Sequence, residues 1–145
     1  GCIIYSGAVY MWGNGIYGQI GNGKKKHSYK PTLVVDLIND KAIQLACGLN
    51  HVYALTASGK VYAWGAGTYG RLGLGTETDE FKPQVIPLLE GKTVRRIAAG
   101  GSQGCAVCAH QWVPDKDSKV CMNCNAKFTM IRRRVSIFRN SLILE

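Results

Sequence analysis

Short β-branched and aromatic runs, each closed by a glycine or Ser-Gly signal, set the rhythm of this chain and predict strands. Val9 to Trp12 follows Ser6-Gly7 and stops at a glycine cluster, and Val61 to Trp64 follows Ser58-Gly59 and stops in the same way. A second run, Leu33 to Val35 or Val85 to Pro87, comes after a Lys-Pro pair. The third is Ala42 to Cys47 or Val94 to Ala99, and the fourth is Val52 to Leu55 or Gly104 to Ala109. No helical period interrupts them. Four short strands per period predict one propeller blade, and the chain writes that period twice.

The repeat keeps one spacing throughout. Trp12 and Trp64 lie 52 positions apart, and the same shift superposes Lys30-Pro31 on Lys82-Pro83 and Ala46 and Gly48 on Ala98 and Gly100, without a gap. It also maps Gly13, Gly15, Gly18, Gly21 and Gly23 onto Gly65, Gly67, Gly70, Gly73 and Gly75. Repetition near 50 residues points to a solenoid or propeller rather than a self-contained core. The glycines imply positive φ or approaches too close for a Cβ. Gly13-x-Gly15-x-x-Gly18 has the spacing of a dinucleotide fingerprint, but no helix is predicted to open after it, so that reading is rejected.

Val-Tyr-x-Trp-Gly-x-Gly-x-x-Gly-x-Leu/Ile-Gly-x-Gly, then Lys-Pro, then Ala46-Cys47-Gly48-Leu49-Asn50-His51, resembles the regulator of chromosome condensation repeat over residues 1 to 109. The resemblance implies a β-propeller, seven-bladed in the family. The type member is a guanine nucleotide exchange factor for the GTPase Ran, and other members use the repeat as a protein-interaction platform. Two departures bear on function. About two blades are present, which leaves open faces and unpaired edges that invite self-association. His51 becomes Gln103 in the second copy, so a structural hydrogen-bonding role for His51 is expected over a catalytic one. Lys24, Lys25, Lys26 and His27 read as a solvated loop tip, with a phosphate contact as the alternative.

Composition changes this picture in the last third. Net charge is +9, with 18 Lys and Arg against 9 Asp and Glu, which suggests an anionic partner such as nucleic acid or a phospholipid surface. Nucleic acid is disfavoured because the basic tail lacks interleaved aromatic residues. No apolar run is long enough for a transmembrane helix, and a soluble cytoplasmic protein is expected. The chain starts at Gly1 in mid-repeat and reads as a fragment. Two C-x-x-C pairs, Cys105/Cys108 and Cys121/Cys124, suggest metal or redox chemistry. A four-Cys site is opposed by the strand position of Cys105 and Cys108, because residues three apart on a strand face opposite sides.

Beyond Ala109 the repeat gives way to Trp112-x-x-Asp115, Cys121-x-x-Cys124, Phe128 and Arg132-Arg133-Arg134, which resembles the opening of a FYVE zinc finger. The resemblance implies that Cys121 and Cys124 are zinc ligands. It likewise implies that Trp112 and Asp115 meet an inositol headgroup, that Met130 and Ile131 enter the bilayer, and that Arg132, Arg133 and Arg134 lead into the phosphate-binding segment. The family's next elements, Arg-His-His-Cys-Arg and further Cys pairs, are replaced here by Val135 to Glu145, which could be strand or short helix. Two thiolates are half of a structural zinc shell, so residues 110–134 are expected to be a truncated finger with impaired lipid recognition.

The expected architecture is therefore mainly β: two four-stranded blades of an incomplete propeller over residues 1–109, a truncated finger over 110–134, and a divergent tail over 135–145. The expected function is a non-catalytic adaptor. Its propeller would hold a protein, and its finger would use zinc to bind phosphatidylinositol 3-phosphate peripherally on endosomal membranes. The alternative is nucleotide exchange on a small GTPase.

Overall fold

The computed structural model describes residues 1–109 in full and, beyond them, the backbone of two strands within 135–144. The strands are β1 (Cys2–Ile3), β2 (Val9–Gly13), β3 (Ser28–Leu33), β4 (Ala42–Cys47), β5 (His51–Thr56), β6 (Val61–Gly65), β7 (Glu80–Val85), β8 (Val94–Gly100), β9 (Gln103–Cys108), β10 (Val135–Phe138) and β11 (Ser141–Leu144). Short 3-10 turns at Val35–Leu37, Thr68–Gly70 and Pro87–Leu89 are the helical elements among the described residues. No described helix is long and apolar enough to cross a membrane.

The strands form three sheets, ordered β1-β2-β3, β4-β5-β6-β7 and β10-β11-β9-β8. Two repeats predict two blades. Instead one complete four-stranded blade, β4–β7, is flanked by two sheets that lack part of the pattern. The reason is phase: the complete blade takes β4 and β5 from the end of the first repeat and β6 and β7 from the start of the second. The first sheet has no counterpart of β4, and in the third the strands beside β9 on one side come from the tail.

Within that tail, Val135–Phe138 and Ser141–Leu144 are strands, one of the two forms its sequence allows. β10 and β11 pair antiparallel, and β11 lies parallel to β9, with Ser141 opposite Gly104 and Leu144 opposite Val107. In the complete blade the strand at that place, β6, runs antiparallel to β5.

A second difference concerns β3 and β7. The sequence places them after the Lys-Pro pairs, yet they run through them, with Pro31 inside β3 and Pro83 inside β7. Each is the last strand of its sheet, where a missing N–H leaves no ladder bond unmade. The other three strand positions fall within a residue or two of expectation.

Alternation places the cores between sheets. Along β5, which is buried throughout, Val52 and Ala54 join Val9, Met11, Ile20, Val34, Leu37 and Trp64 on the side of the first sheet. Tyr53 and Leu55 point the other way and meet Leu72, Ile86, Val94, Ile97 and Ala106 on the side of the third. With a side-chain period of two, a strand between two neighbouring sheets must be apolar on both faces. The sheets also touch through their first strands, β4 against β8 and β1 against β4.

Candidate functional site

Trp64 and part of the first glycine run meet at the seam between the first sheet and the complete blade. Trp64 is fully buried, and its indole N–H donates to the Gln19 carbonyl of the preceding glycine turn at 3.0 Å. Gly21 sits beneath that ring: its φ is +75°, and a Cβ there would lie 2.9 Å from the indole nitrogen. The Gly23 amide donates to the Phe81 carbonyl at 2.8 Å, tying the same turn to β7. Close approach is therefore one physical reason for the glycine run. No helix opens between Gly18 and β3, which agrees with rejecting the dinucleotide reading.

On the other side of the complete blade, Gln44 clamps the third sheet. Its side-chain amide donates to the Ile97 carbonyl at 2.8 Å, and its oxygen accepts from the Ile97 amide at 2.9 Å. The Leu49 amide adds a bond to the Gly101 carbonyl at 2.9 Å. Nothing in the repeat marks Gln44, because its counterpart one period on is Arg96. Gln44→Ala leaves a half-buried strand amide and carbonyl unpartnered and should cost about 1–3 kcal/mol in urea unfolding. Gln44→Glu, which retains only the acceptor, should fall between alanine and wild type.

His51 is 1% exposed and stands edge-on to Tyr53, with ring centroids 5.1 Å apart. Its Nε2 lies 3.3 Å from the Gln103 carbonyl, and its Nδ1 has no protein partner. The Tyr53 hydroxyl in turn donates to the Arg71 carbonyl. Gly48 is backed directly onto the imidazole, where a Cβ could not fit. This is the structural role expected of His51: it binds the backbone of the residue that replaces it one period later.

Burial lowers the His51 pKa below its ordinary 6.5, opposed by the Gln103 bond and helped by the Arg71 charge. The folded state therefore holds the ring neutral, while the unfolded chain takes up a proton. Stability is full above about 6.5 and falls as the pH drops below it toward the folded value. His51→Gln should flatten the dependence of the urea midpoint on pH just below 6.5, since Gln has no proton to gain.

A second polar hub carries no mark in the sequence pattern. Asp40 accepts from Ser58 Oγ at 2.9 Å and from the Tyr62 hydroxyl at 3.2 Å, locking the β5–β6 turn to the preceding loop. Burial, followed by this carboxylate's charge and hydrogen bond, pushes the Tyr62 phenol up.

For metal, the described residues contain no group of three His, Cys, Asp or Glu able to hold an ion. Cys105 is half-buried and Cys108 is buried on β9, on opposite faces as three-residue spacing requires. Cys121 and Cys124, with Trp112, Asp115, Met130, Ile131, Arg132, Arg133 and Arg134, lie outside the described residues.

The exposed tips of the loops joining β2 to β3 and β6 to β7 fall at equivalent places in the two repeats. Lys24, Lys25, Lys26 and His27 are exposed in the first, and Thr76, Glu77 and Thr78 in the second. The geometry is that of a scaffold with a repeated interior pattern and divergent rim loops, the class of repeat-built β-propeller proteins.

Comparison with known proteins gives the family. The profile described as the regulator of chromosome condensation (RCC1) repeat matches residues 6–55 and 58–107, and a second RCC1 repeat profile matches 42–71. The chain belongs to the RCC1-repeat family. It is 42% identical over 101 residues to the human E3 ubiquitin-protein ligase HERC2, covering 70% of this chain and 2% of that protein. It is 38% identical over 101 residues to the Xenopus laevis serine/threonine-protein kinase Nek9, covering 68% and 11%. With the ultraviolet-B receptor UVR8 of Arabidopsis thaliana it shares 37% over 99 residues, covering 68% and 22%.

Among solved structures, Prp20p of Saccharomyces cerevisiae, characterised with its binding to Gsp1p and histones, superposes with a TM-score of 0.62 at 23% identity. That match covers 68% of this chain and 26% of Prp20p. Human WBSCR16 gives 0.56 at 25% identity, with the same coverages. The chain thus spans about a quarter or less of each of these relatives. These matches place the chain in the mainly β propeller fold, as its repeats implied.

Proposed function

We propose that this chain is a non-catalytic, protein-binding part of an RCC1-repeat propeller. The observation that carries the reading is the division of labour between seam and rim. At the seam between the first sheet and the complete blade, the repeat residues Trp64, Gly21 and Gly23 are consumed by packing, while the exposed loops differ in sequence and charge. A stiff interior with variable rim loops is how a scaffold presents a binding surface. Binding of Gsp1p and histones by Prp20p supports a protein partner of some kind.

The test is cross-linking of the chain to a panel of small GTPases and core histones, with labelled-GDP release followed in parallel. Cross-links mapping to the rim loops without faster release are expected. Accelerated release would establish the exchange-factor reading in its place.

A lipid-directed role for the finger-like segment belongs to the same proposal, on the strength of Trp112-x-x-Asp115, Cys121-x-x-Cys124 and Arg132-Arg133-Arg134. Cys121 and Cys124 would hold zinc, and the segment would bring the propeller to phosphatidylinositol 3-phosphate on endosomes. Weak pelleting with liposomes carrying that lipid, unaffected by chelator, is the outcome expected of an incomplete finger. Tight pelleting abolished by chelator would show a working one.

A further inference from the structure

The two rim loops carry opposite charge. Lys24-Lys25-Lys26-His27 in the first repeat corresponds, one period later, to Thr76-Glu77-Thr78-Asp79. In the second loop an acid has a structural role, since Asp79 accepts from the Gly67 amide at 3.0 Å. The lysine side chains of the first loop have no such role. None of Lys24, Lys25 and Lys26 forms an ion pair among the described residues, where the pair seen is Lys82 with Asp36 at 3.7 Å.

The basic loop is nevertheless held in place. The Lys24 amide bonds to Asn22 Oδ1 at 3.1 Å, Gly15 is pressed against the Lys26 carbonyl, and Ser28 Oγ bonds to Thr32 Oγ1 at 2.7 Å. Lys30 extends the positive charge along β3, and Lys82, exposed on the neighbouring blade, packs its stem beside Gly23. Half-buried Glu80 borders the β2–β3 loop, its carbonyl 3.0 Å from where a Cβ on Gly18 would lie, and half-buried Asp79 and exposed Glu77 precede it in the chain.

We propose that these neighbouring loops form one bipolar docking surface for a protein whose own surface carries an acidic patch beside a basic one. The proposal rests on the protein-binding reading above and names the face that performs it. Packed sheets are spaced by about 10 Å, close to the screening length at physiological salt, so a partner spanning both loops feels both signs. A uniformly anionic surface, whether nucleic acid or membrane, gains at Lys24–Lys26 and is repelled at Glu77, Asp79 and Glu80. A protein with the complementary sequence of charge gains at both and is fixed in orientation.

The experiment uses the full chain and two fluorescent peptides of identical composition. One has six Glu, a four-residue Gly-Ser spacer and six Lys; the other scatters the same Glu and Lys alternately. A 12-nucleotide DNA, single-stranded and duplex, is the competing probe. Anisotropy at low and moderate salt should show the block peptide binding at least tenfold tighter than the alternating one, and tighter than either DNA.

K24E/K25E/K26E should erase the block preference, and Glu77→Lys should reduce it severalfold. All four positions are exposed loop residues, so thermal midpoints should not move. Equal binding of the two peptides, a preference untouched by the triple variant, or tighter binding of DNA overturns the proposal. Persistence of the GTPase or histone cross-links in the triple variant also overturns this face while leaving the protein-binding reading intact.

Discussion

Trp64→Ala should cost about 3–5 kcal/mol and leave little folded protein at 37 °C. The side chain is fully buried, closes the core between the first two sheets, and donates the hydrogen bond that fastens its blade to the Gln19 carbonyl. Its removal opens a cavity on a seam and leaves that carbonyl without its indole donor. Gly21, whose missing Cβ makes room for the ring, cannot rebuild the contact. Trp12 supplies the internal control. It stands at the same point of the repeat but is 43% exposed, so Trp12→Ala should cost about 1 kcal/mol or less. Far-ultraviolet circular dichroism in urea measures both without relying on tryptophan emission. Equal costs would mean that the seam contributes little.

Gly67→Ala should be nearly as damaging, at about 2–3 kcal/mol or more, and for a reason confined to space. Gly67 has φ −93° and ψ −9°, which any residue adopts. Its added Cβ would fall on the Thr78 carbonyl, and backbone cannot rotate aside as a side chain can. The Gly67 amide is moreover held by Asp79 at 3.0 Å, so the loop cannot retreat without breaking that bond. Gly75→Ala separates conformation from crowding. Its φ is +80° with nothing within 4 Å of the added Cβ, so only the left-handed penalty of about 1–2 kcal/mol applies. The ratio of the two costs, read from urea midpoints, tests whether steric exclusion dominates in the glycine run.

The strands themselves are largely legible in the sequence. Ala42–Cys47 agrees residue for residue, because a β-branched and apolar run bounded by turn signals reports a strand wherever it packs. Lys30-Pro31 and Lys82-Pro83 mislead for a local reason: proline reads as a breaker, although at a sheet's last strand it is tolerated. The phase of the blades is not legible either. Periodicity gives the strand order, but which four strands share a sheet is decided by hydrogen-bonding partners, and a repeat looks the same from any starting point. Gln44 and Asp40 stay hidden because their partners are backbone atoms or distant hydroxyls, which leave no pattern in a single copy. His51 is legible in kind, since its replacement by Gln103 argues for hydrogen bonding over chemistry. The finger residues Trp112 to Arg134 remain a sequence motif, outside the described structure.

During synthesis, the offset between repeat and sheet fixes an order of events. When the first repeat has left the ribosome through Leu55, β4 and β5 can pair as a hairpin, but the far side of β5 has no partner. The complete sheet cannot close before Val85 emerges. The nascent blade therefore waits, half-built, for the next repeat's first strands. A chain severed at the repeat boundary, between Leu55 and Ser58, yields two pieces of which neither contains the whole β4–β7 sheet, whereas a cut just before Ala42 keeps it together.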